Sequence, residues 1–188
     1  DVVLGFESLD EYLVAKEKYY SAIVGRVCGR INKGTFELGG VKYELTKNDI
    51  FGTPVKNHLH GGFDGFSFHV WNGRILLNDK GEEALELIYF SKDAEEGYPG
   101  NMEVKVLYTL GNDNSMDIHY SAYTDKATIV NLTNHAYFNL HGDMSRNVLD
   151  HLVYVNSENS VECDEELIPT GNIIPIKNTP LDFTRPQT

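Results

Sequence analysis

Hydrophobic and polar residues alternate along most of the chain after position 35, in short runs that turn residues separate. In the run from Met102 to Leu110, the side chains of Met102, Val104 and Val106 fall on one face, and charged side chains fall on the other. This period of two is typical of a half-buried β-strand. About ten such runs recur at intervals of roughly 8 to 12 residues, which is the spacing of a β-sandwich or barrel. The pattern therefore predicts an all-β, antiparallel fold.

Glycine-containing turns join several of these runs. Gly39-Gly40 lies between TFEL and VKYEL, and Asn72-Gly73 lies between FSFHVW and RILL. Both dipeptides favour two-residue turns, so each predicts a hairpin. A further turn is predicted at Gly111-Asn112-Asp113-Asn114, ahead of SMDIHYSAYT. The segments ATIVNLTNHAYF and HLVYVN are also predicted to be extended.

One short helix is predicted near the start of the chain. Ser8-Leu9-Asp10-Glu11 is a capping-box pattern, and the apolar residues Tyr12 and Leu13 follow it. We expect a helix of about two turns at this place. No linker, low-complexity tract or internal repeat interrupts the sequence, so residues 1–188 are predicted to be a single domain.

Composition and charge narrow the classes of partner. The chain is 41% hydrophobic and 23% charged, which is typical of a globular protein. Its formal net charge of -12 repels nucleic acid and anionic lipid, so neither is an expected partner. No apolar run approaches the roughly 20 residues of a membrane span. Cys28 and Cys163 lack CxxC spacing, which favours a reducing compartment and a cytoplasmic location.

The histidines suggest two kinds of site. His58 and His60 stand two apart in NHLHGG, and His135 lies in TIVNLTNHAYFNLHG. A three-histidine metal site of the cupin type is one interpretation, but the glutamate that it needs after His60 is missing. Metal-free acid–base chemistry on a neutral, hydroxyl-rich ligand is the other, and we therefore predict no metal. Side chains suited to sugar binding are present at Arg30, Asn57, His60, Trp71, Asn134, His135 and Tyr137.

Six motifs in collinear order give a more specific interpretation. They are GRVCGRI (25–31), NHLHGG (57–62), GFSFHVW (65–71), EEGYPG (95–100), VNLTNHAYFNL (130–140) and DEELIPTG (164–171). With these gaps the sequence closely resembles the aldose 1-epimerase family, from DVVLGF at its start to PLDFTRP near its end. The resemblance implies an antiparallel β-sandwich of the galactose-mutarotase type. It also implies interconversion of the α and β anomers of free hexoses such as galactose and glucose, without a cofactor.

The resemblance also implies roles for individual residues. His135 is the expected general acid, which gives a proton to the ring oxygen. His60 is expected to hold and polarise the sugar, and Arg30 to bind a hydroxyl group. Gly29 stands where the family usually has asparagine. The substrate-binding set implied is Gly29, Arg30, Asn57, His60, His135, Ala136 and Tyr137. His58 falls at a variable position and is expected on the surface.

Two features of the family are not matched within the 188 residues. The general base of the family is a glutamate, and it lies with a substrate-binding aspartate beyond the matched region. The first strands of the family precede DVVLGF. We therefore expect the chain to be the central portion of the domain, truncated at both ends and nearly inactive alone. Glu95 and Glu96 are conceivable substitute bases, but their position beside a turn predicts solvated side chains.

Two functions from different classes remain at this stage. The first is a hexose mutarotase whose partner is a small-molecule hexose, acting as a monomer or weak homodimer. The second is a catalytically silent sugar-binding or regulatory domain, which the same cleft would permit.

Overall fold

The computed structural model describes residues 1–51 and 54–188. They form two compact units, one of residues 24–133 and one of residues 1–23 together with 134–188. Three short 3-10 helices lie at Asn32–Gly34, Phe66–Phe68 and Glu95–Gly97. The remaining elements, in chain order, are α1 (Leu9–Val14), β1 (Ile23–Val24), β2 (Arg30–Ile31), β3 (Thr35–Leu38), β4 (Val41–Glu44), β5 (His58–Leu59), β6 (Asn72–Leu77), β7 (Glu83–Ser91), β8 (Met102–Leu110), β9 (Met116–Thr124), β10 (Thr133–Asn134), β11 (Asn159–Cys163) and β12 (Pro169–Pro175).

An antiparallel four-stranded sheet dominates the unit of residues 24–133. Its strands follow one another in the order β6-β7-β8-β9. Met102, Val104 and Val106 of β8 are buried, at no more than 1% exposure, whereas the intervening Glu103 is exposed. The alternation predicted for this segment is therefore confirmed, because one face of the strand packs into the core and the other meets solvent.

A buried arginine ties the loop after β7 to the core of the same unit. The Arg26 side chain is 1% exposed, and its guanidinium donates hydrogen bonds to Ser91 Oγ at 2.9 Å. It also donates to the carbonyl oxygens of Pro99 and Gly100, at 2.9 and 2.8 Å. Burial lowers the pKa of Arg26. Because its donors reach carbonyl and hydroxyl oxygens, the buried side chain is satisfied and fixes the path of the loop.

Two of the predicted turns are confirmed, and one is wrong. Gly39 and Gly40 connect β3 to β4 with φ of 60° and 78°, as a two-residue hairpin requires. The Gly111–Asn114 turn connects β8 to β9. Asn72-Gly73, in contrast, lies inside β6, and the preceding FSF segment is a 3-10 helix.

The physical reason for this error is aromatic packing. Phe66 is 1% exposed and makes edge-to-face contacts with the rings of Trp71 and Tyr89. The indole N–H of Trp71 donates to the Phe66 carbonyl oxygen at 3.1 Å, which closes the segment on itself. The Phe66–Tyr89 contact and the pairing of Asn72-Gly73 with β7 join residues that are distant in sequence, and they override the local turn preference of Asn-Gly.

The unit of residues 1–23 and 134–188 contains the predicted helix and one hairpin. In α1, Ser8 Oγ accepts a hydrogen bond from Glu11 N, which confirms Ser8 as the N-cap, and the Glu11 carboxylate accepts from Glu7 N. The strands β11 and β12 pair antiparallel, with a register shift between Val161 and Cys163. The HLVYVN segment forms an isolated antiparallel bridge between Val153 and Gln187 and a hydrogen bond from Val155 N to the Phe183 carbonyl oxygen, but no regular strand.

The segment ATIVNLTNHAYF is also less regular than predicted. Only β10 is a strand within it, and its neighbours make single backbone hydrogen bonds instead of a continuous ladder. Throughout residues 1–51 and 54–188, no helix is both long enough and apolar enough to cross a bilayer.

Candidate active site

The pairing of β2 with β5 brings two predicted site segments together in the unit of residues 24–133. Arg30 lies opposite Leu59, and Ile31 lies opposite His58. The next residue, His60, donates its backbone N–H to the Gly29 carbonyl oxygen at 3.1 Å. His60 has a left-handed φ of 53°, which directs the chain into the following glycines. The GRVCGRI and NHLHGG motifs are therefore adjacent at the position of His60.

The backbone of Gly29 also determines which ring nitrogen carries the hydrogen in a neutral His60. Its N–H donates to His60 Nδ1 at 3.1 Å. Because Nδ1 accepts this hydrogen bond, a neutral His60 carries its proton on Nε2. His60 Nε2 is thus a hydrogen-bond donor. The Gly29 residue contributes this contact without a side chain, at the position where asparagine is usual in the family.

The two glycines after His60 are closely approached, Gly61 by backbone and Gly62 by a side chain. A Cβ at Gly61 would overlap the carbonyl oxygen of Gly25, and φ at Gly61 is 88°. A Cβ at Gly62 would overlap the Glu96 side chain. The backbone of Gly25 therefore leaves no room for a side chain at Gly61.

An ion pair orients Arg30. Its Nε lies 2.7 Å from Asp49 Oδ2, and the Asp49 side chain is only 2% exposed. Asn48, the residue before, clamps the start of the His60 loop, because its side-chain amide bonds both the N–H and the C=O of Leu59, at 2.7 and 2.9 Å. Asp49 thereby holds the guanidinium, and Asn48 holds the strand beside it.

Asn57 shapes the same region from a buried position. It is 1% exposed, and its Oδ1 accepts a hydrogen bond from Lys33 N at 3.0 Å. Its carbonyl oxygen accepts from the N–H groups of Asn48 and Asp49. Its contacts therefore join the 3-10 segment that follows Arg30 to the Asn48–Asp49 segment.

His58 is fully buried, so the expectation of a surface position is wrong. Its Nδ1 lies 2.7 Å from the Thr46 carbonyl oxygen, and its Nε2 lies 2.7 Å from the Tyr98 hydroxyl. The carbonyl can only accept, so Nδ1 carries the proton and Nε2 accepts from Tyr98. Burial lowers the pKa of His58 and raises the pKa of Tyr98. Both ring nitrogens are engaged, which removes His58 from the three-histidine metal interpretation.

This burial predicts an acid-sensitive stability. Because the folded pKa of His58 is lowered from its ordinary 6.5, the unfolded chain binds the proton more readily. The stabilisation is complete above about pH 6.5 and is lost as the pH falls below it. We expect His58→Asn to weaken the pH dependence of the unfolding free energy by up to about 1.4 kcal/mol per pH unit, the limit for one proton.

Urea denaturation of the full-length protein at pH 7 and pH 5 measures this effect. The matched control is His119→Asn, since His119 is exposed on β9. A His58→Asn variant whose urea midpoint shifts with pH as much as that of the wild-type protein would contradict the prediction.

His135 lies in the other unit, where its backbone is fixed on both sides. Its N–H donates to the Ala22 carbonyl oxygen at 2.9 Å, and its C=O accepts from Ser21 N at 3.3 Å. The imidazole stacks against the Tyr19 ring, with centroids 5.5 Å apart and an interplanar angle of 27°. A second ring, that of Tyr137, is tilted by 50° at 5.1 Å. The imidazole is therefore flanked by aromatic rings.

Hydrogen bonds and a further ring contact also fix the residues on either side of His135. Ala136 donates its N–H to Asn134 Oδ1 at 2.8 Å, and the Asn134 amide donates to the Ser21 carbonyl oxygen at 3.2 Å. Tyr137 is 39% exposed and makes an edge contact with the Tyr20 ring. The structure thus places His135, Ala136 and Tyr137 together in one unit, and Gly29, Arg30, Asn57 and His60 together in the other.

The solvated side chains predicted for Glu95 and Glu96 are wrong, because both carboxylates accept hydrogen bonds. Glu95 accepts hydrogen bonds from the Tyr89 hydroxyl at 2.8 Å and from Ser91 Oγ at 2.6 Å. Glu96 accepts from Asp64 N at 2.6 Å and from the Thr46 hydroxyl. Both side chains connect loops of the same unit, which does not favour either as a base.

One group of three side chains in the described ranges has the composition of a metal site: His141, Asp150 and His151. His141 Nε2 and His151 Nδ1 lie 2.7 and 3.3 Å from Asp150 Oδ1. However, the Leu140 N–H donates to His151 Nε2 at 2.8 Å. A neutral His151 therefore carries its proton on Nδ1, the atom that a metal would need. The arrangement is that of a hydrogen-bonded cluster, in which His141 chiefly lowers the pKa of Asp150.

Sequence reasoning missed the residues that support these side chains. These residue types are common, so the sequence did not distinguish the supporting residues. Only the fold brings Asn48 to Leu59, Asp49 to Arg30 and Tyr19 to His135. His58 was considered as a metal ligand, because its spacing of two from His60 predicts a shared face on a strand. The strand β5 ends at Leu59, and the left-handed φ of His60 breaks this alternation.

Comparison with known proteins identifies the family. The sequence model of the aldose 1-epimerase family matches residues 1–188. The chain therefore belongs to the aldose 1-epimerase family.

Individual relatives agree with this assignment. Galactose mutarotase of Sus scrofa is 45% identical over 186 residues, which are 99% of this chain and 51% of the relative. The crystal structure of an aldose epimerase homologue from C. elegans superposes with a TM-score of 0.85 and 30% identity, covering 100% of this chain and 54% of the other. That of galactose 1-epimerase from Lactobacillus acidophilus gives a TM-score of 0.84 and 29% identity over 99% and 52%. The predicted galactose-mutarotase fold is confirmed.

The same comparisons define how much of the fold is present. The chain spans about half the length of the relatives that it matches, 51% in the case of the Sus scrofa protein.

Proposed function

We propose that the full-length protein is an aldose 1-epimerase that interconverts the α and β anomers of free hexoses, such as galactose and glucose. The observation that carries the proposal is the match of residues 1–188 to this family, in which Arg30, His60 and His135 are all present. Within each unit, hydrogen bonds and ring contacts hold these side chains in defined orientations.

The reaction requires two proton transfers. Opening a cyclic hemiacetal removes the proton of the anomeric hydroxyl and places a proton on the ring oxygen. The freed aldehyde rotates about the bond from C1 to C2, and ring closure on its other face reverses both transfers. No electrons are exchanged, so the residues need only donate, accept and bind. We assign the donor role at the ring oxygen to His135, because histidine can be protonated and can recover its proton near neutral pH.

His60 and Arg30 are proposed to bind the sugar. A neutral His60 carries its proton on Nε2, since Gly29 N–H occupies Nδ1, and such an N–H can donate to a sugar oxygen. Arg30 is oriented by Asp49, which leaves its guanidinium a rigid donor for hydroxyl groups. Tyr137, Ala136, Gly29 and Asn57 complete the proposed substrate-binding set, with Asn57 acting through the backbone that it supports.

The general base is proposed to be a glutamate in the part of the family's longer chains that residues 1–188 do not span. Two observations support this. The chain spans 51% of the Sus scrofa relative, and Glu95 and Glu96 are committed to hydrogen bonds within their own unit. General-base assistance contributes typically about 10² to 10⁴-fold to a rate, so we expect residues 1–188 alone to be nearly inactive.

We further propose a cofactor-free reaction in the cytoplasm, by a monomer or weak homodimer. The free thiols of Cys28 and Cys163 support a reducing compartment. The net charge of -12 supports an uncharged sugar over a sugar phosphate.

Polarimetry tests the proposal. Freshly dissolved α-glucose and α-galactose should reach their equilibrium rotations faster in the presence of the full-length protein than in buffer alone. Binding of hexose without any acceleration would contradict the proposal and would favour a catalytically silent sugar-binding protein.

A further inference from the structure

We propose that Tyr19 is a positioning residue that fixes the plane of the His135 imidazole. The inference deepens the proposed function, because it rests on the role of His135 as proton donor. None of the sequence motifs indicated Tyr19, which lies between the helix α1 and the strand β1. It acts through His135 and is not assigned any contact with the sugar.

The contact between the two rings is a stack. Their centroids lie 5.5 Å apart, and their planes are inclined by only 27°. The torsion that turns a histidine ring is broad, so the backbone alone does not select the plane of the imidazole. A flat surface against one face of the ring restricts this rotation. The Tyr137 ring, which is tilted by 50°, adds a contact but cannot define the plane in the same way.

The backbone around Tyr19 keeps the two rings in register. Residues 19–22 form a turn, in which Ala22 N donates to the Tyr19 carbonyl oxygen at 3.0 Å. The far side of this turn holds both peptide groups of His135, through Ala22 O at 2.9 Å and Ser21 N at 3.3 Å. The same short segment therefore fixes the backbone of His135 and supplies the ring against its side chain. A displacement of this segment would therefore move the His135 backbone and the Tyr19 ring together.

The electrostatic character of Tyr19 suits a proton donor. Burial, and then the nearby Glu17, raise the pKa of Tyr19, so its phenol stays uncharged through neutral pH. The face of a neutral tyrosine ring attracts cations. The Tyr19 ring can therefore stay stacked on an imidazole ring in its protonated or its neutral form. It forms no ion pair that would hold the proton on His135.

Kinetics of ring variants in the full-length protein test the role. Tyr19→Phe keeps the stack and should retain kcat within about twofold, whereas Tyr19→Leu should lower kcat about tenfold, within the range for misplaced catalytic groups. KM for hexose should change less than about twofold in both, because Tyr19 orients the donor and does not bind the sugar. Tyr12→Leu is the matched control, since Tyr12 makes an edge contact with Phe6 in the same unit. It should behave as wild type.

The kinetic outcomes separate this proposal from the proposed function. If His135→Gln abolishes activity but Tyr19→Leu and a second variant, Tyr19→Met, keep normal kcat, the positioning role is wrong while the function stands. An equal loss in Tyr19→Phe and Tyr19→Leu would also overturn the role, because stacking would then not be what matters.

Nuclear magnetic resonance tests the contact between the two rings without relying on catalytic activity. With ¹³C-labelled histidine, the ring protons of His135 should show nuclear Overhauser contacts to the Tyr19 ring, and an upfield ring-current shift that Tyr19→Leu removes. The His135→Gln variant assigns the resonance. Absence of the contact in wild type would refute the inference, whatever the enzyme does.

Discussion

Replacing His135 with glutamine in the full-length protein is expected to slow enzymatic mutarotation by about 10² to 10⁴-fold, the usual contribution of a general acid. Glutamine can occupy the position and form hydrogen bonds, but it cannot donate and recover a proton near neutral pH. The backbone bonds to Ser21 and Ala22 do not involve the side chain, so the fold should persist. The initial rate of α-galactose mutarotation, followed by polarimetry, measures the effect.

The matched control is His119→Gln, on the exposed surface of β9. It should leave the rate unchanged. Circular dichroism and the thermal midpoint of each variant establish that the protein remains folded. If a folded His135→Gln variant turned over hexose at close to the wild-type rate, the proton donor would have to be another group.

Replacing Gly61 with alanine is expected to lower the free energy of unfolding by more than about 3 kcal/mol, among the larger effects of single substitutions. Two costs combine at this position. The residue has φ of 88°, which non-glycine residues adopt only at a cost, and the new Cβ would overlap the carbonyl oxygen of Gly25. The obstacle is backbone, which cannot rotate away as the end of a side chain can. The urea midpoint of the full-length variant measures the loss.

Gly81→Ala separates the two costs. Gly81 has φ of 76°, but nothing lies within 4 Å of the Cβ that would be added. We expect it to lose only about 1 to 2 kcal/mol, the cost of the left-handed conformation itself. Equal losses in the two variants would show that the contact with Gly25 does not matter.

The extended architecture was predictable because local signals agreed with the tertiary structure. Alternation in β8 matched the burial of Met102, Val104 and Val106, and the N-cap at Ser8 started α1 where expected. The Gly39-Gly40 turn lay where both residues could adopt positive φ. In each case a single stretch of chain carried the information.

Other features depended on contacts that a single stretch cannot show. Asn72-Gly73 has a strong turn preference, yet its pairing with β7 and the packing of Phe66 against Tyr89 place it inside a strand. His58 became a core residue because Thr46 and Tyr98, which are distant in sequence, satisfy its two ring nitrogens. A polar residue can be buried when such partners exist, and the partners were invisible from its neighbours.

The candidate site likewise contains residues that the sequence indicated and supporting groups that only the structure showed. The identities of Arg30, His60 and His135 came from motifs and from resemblance to the family. What orients them came only from the structure: the carboxylate of Asp49, the amide of Gly29 and the ring of Tyr19. Carboxylates, peptide N–H groups and tyrosine rings each occur at many places in the chain. Their presence in the sequence therefore did not indicate a role in the site.

The hydrogen bond from Gly29 to His60 has a consequence for how this position can vary during evolution. The donor is a peptide N–H, which every amino acid except proline provides, and proline cannot adopt the φ of 78° found here. No other single substitution at position 29 deletes the group that keeps the His60 proton on Nε2. The requirement for this N–H therefore places no demand on the side chain, and it is the φ of 78° that restricts position 29, chiefly to glycine and asparagine.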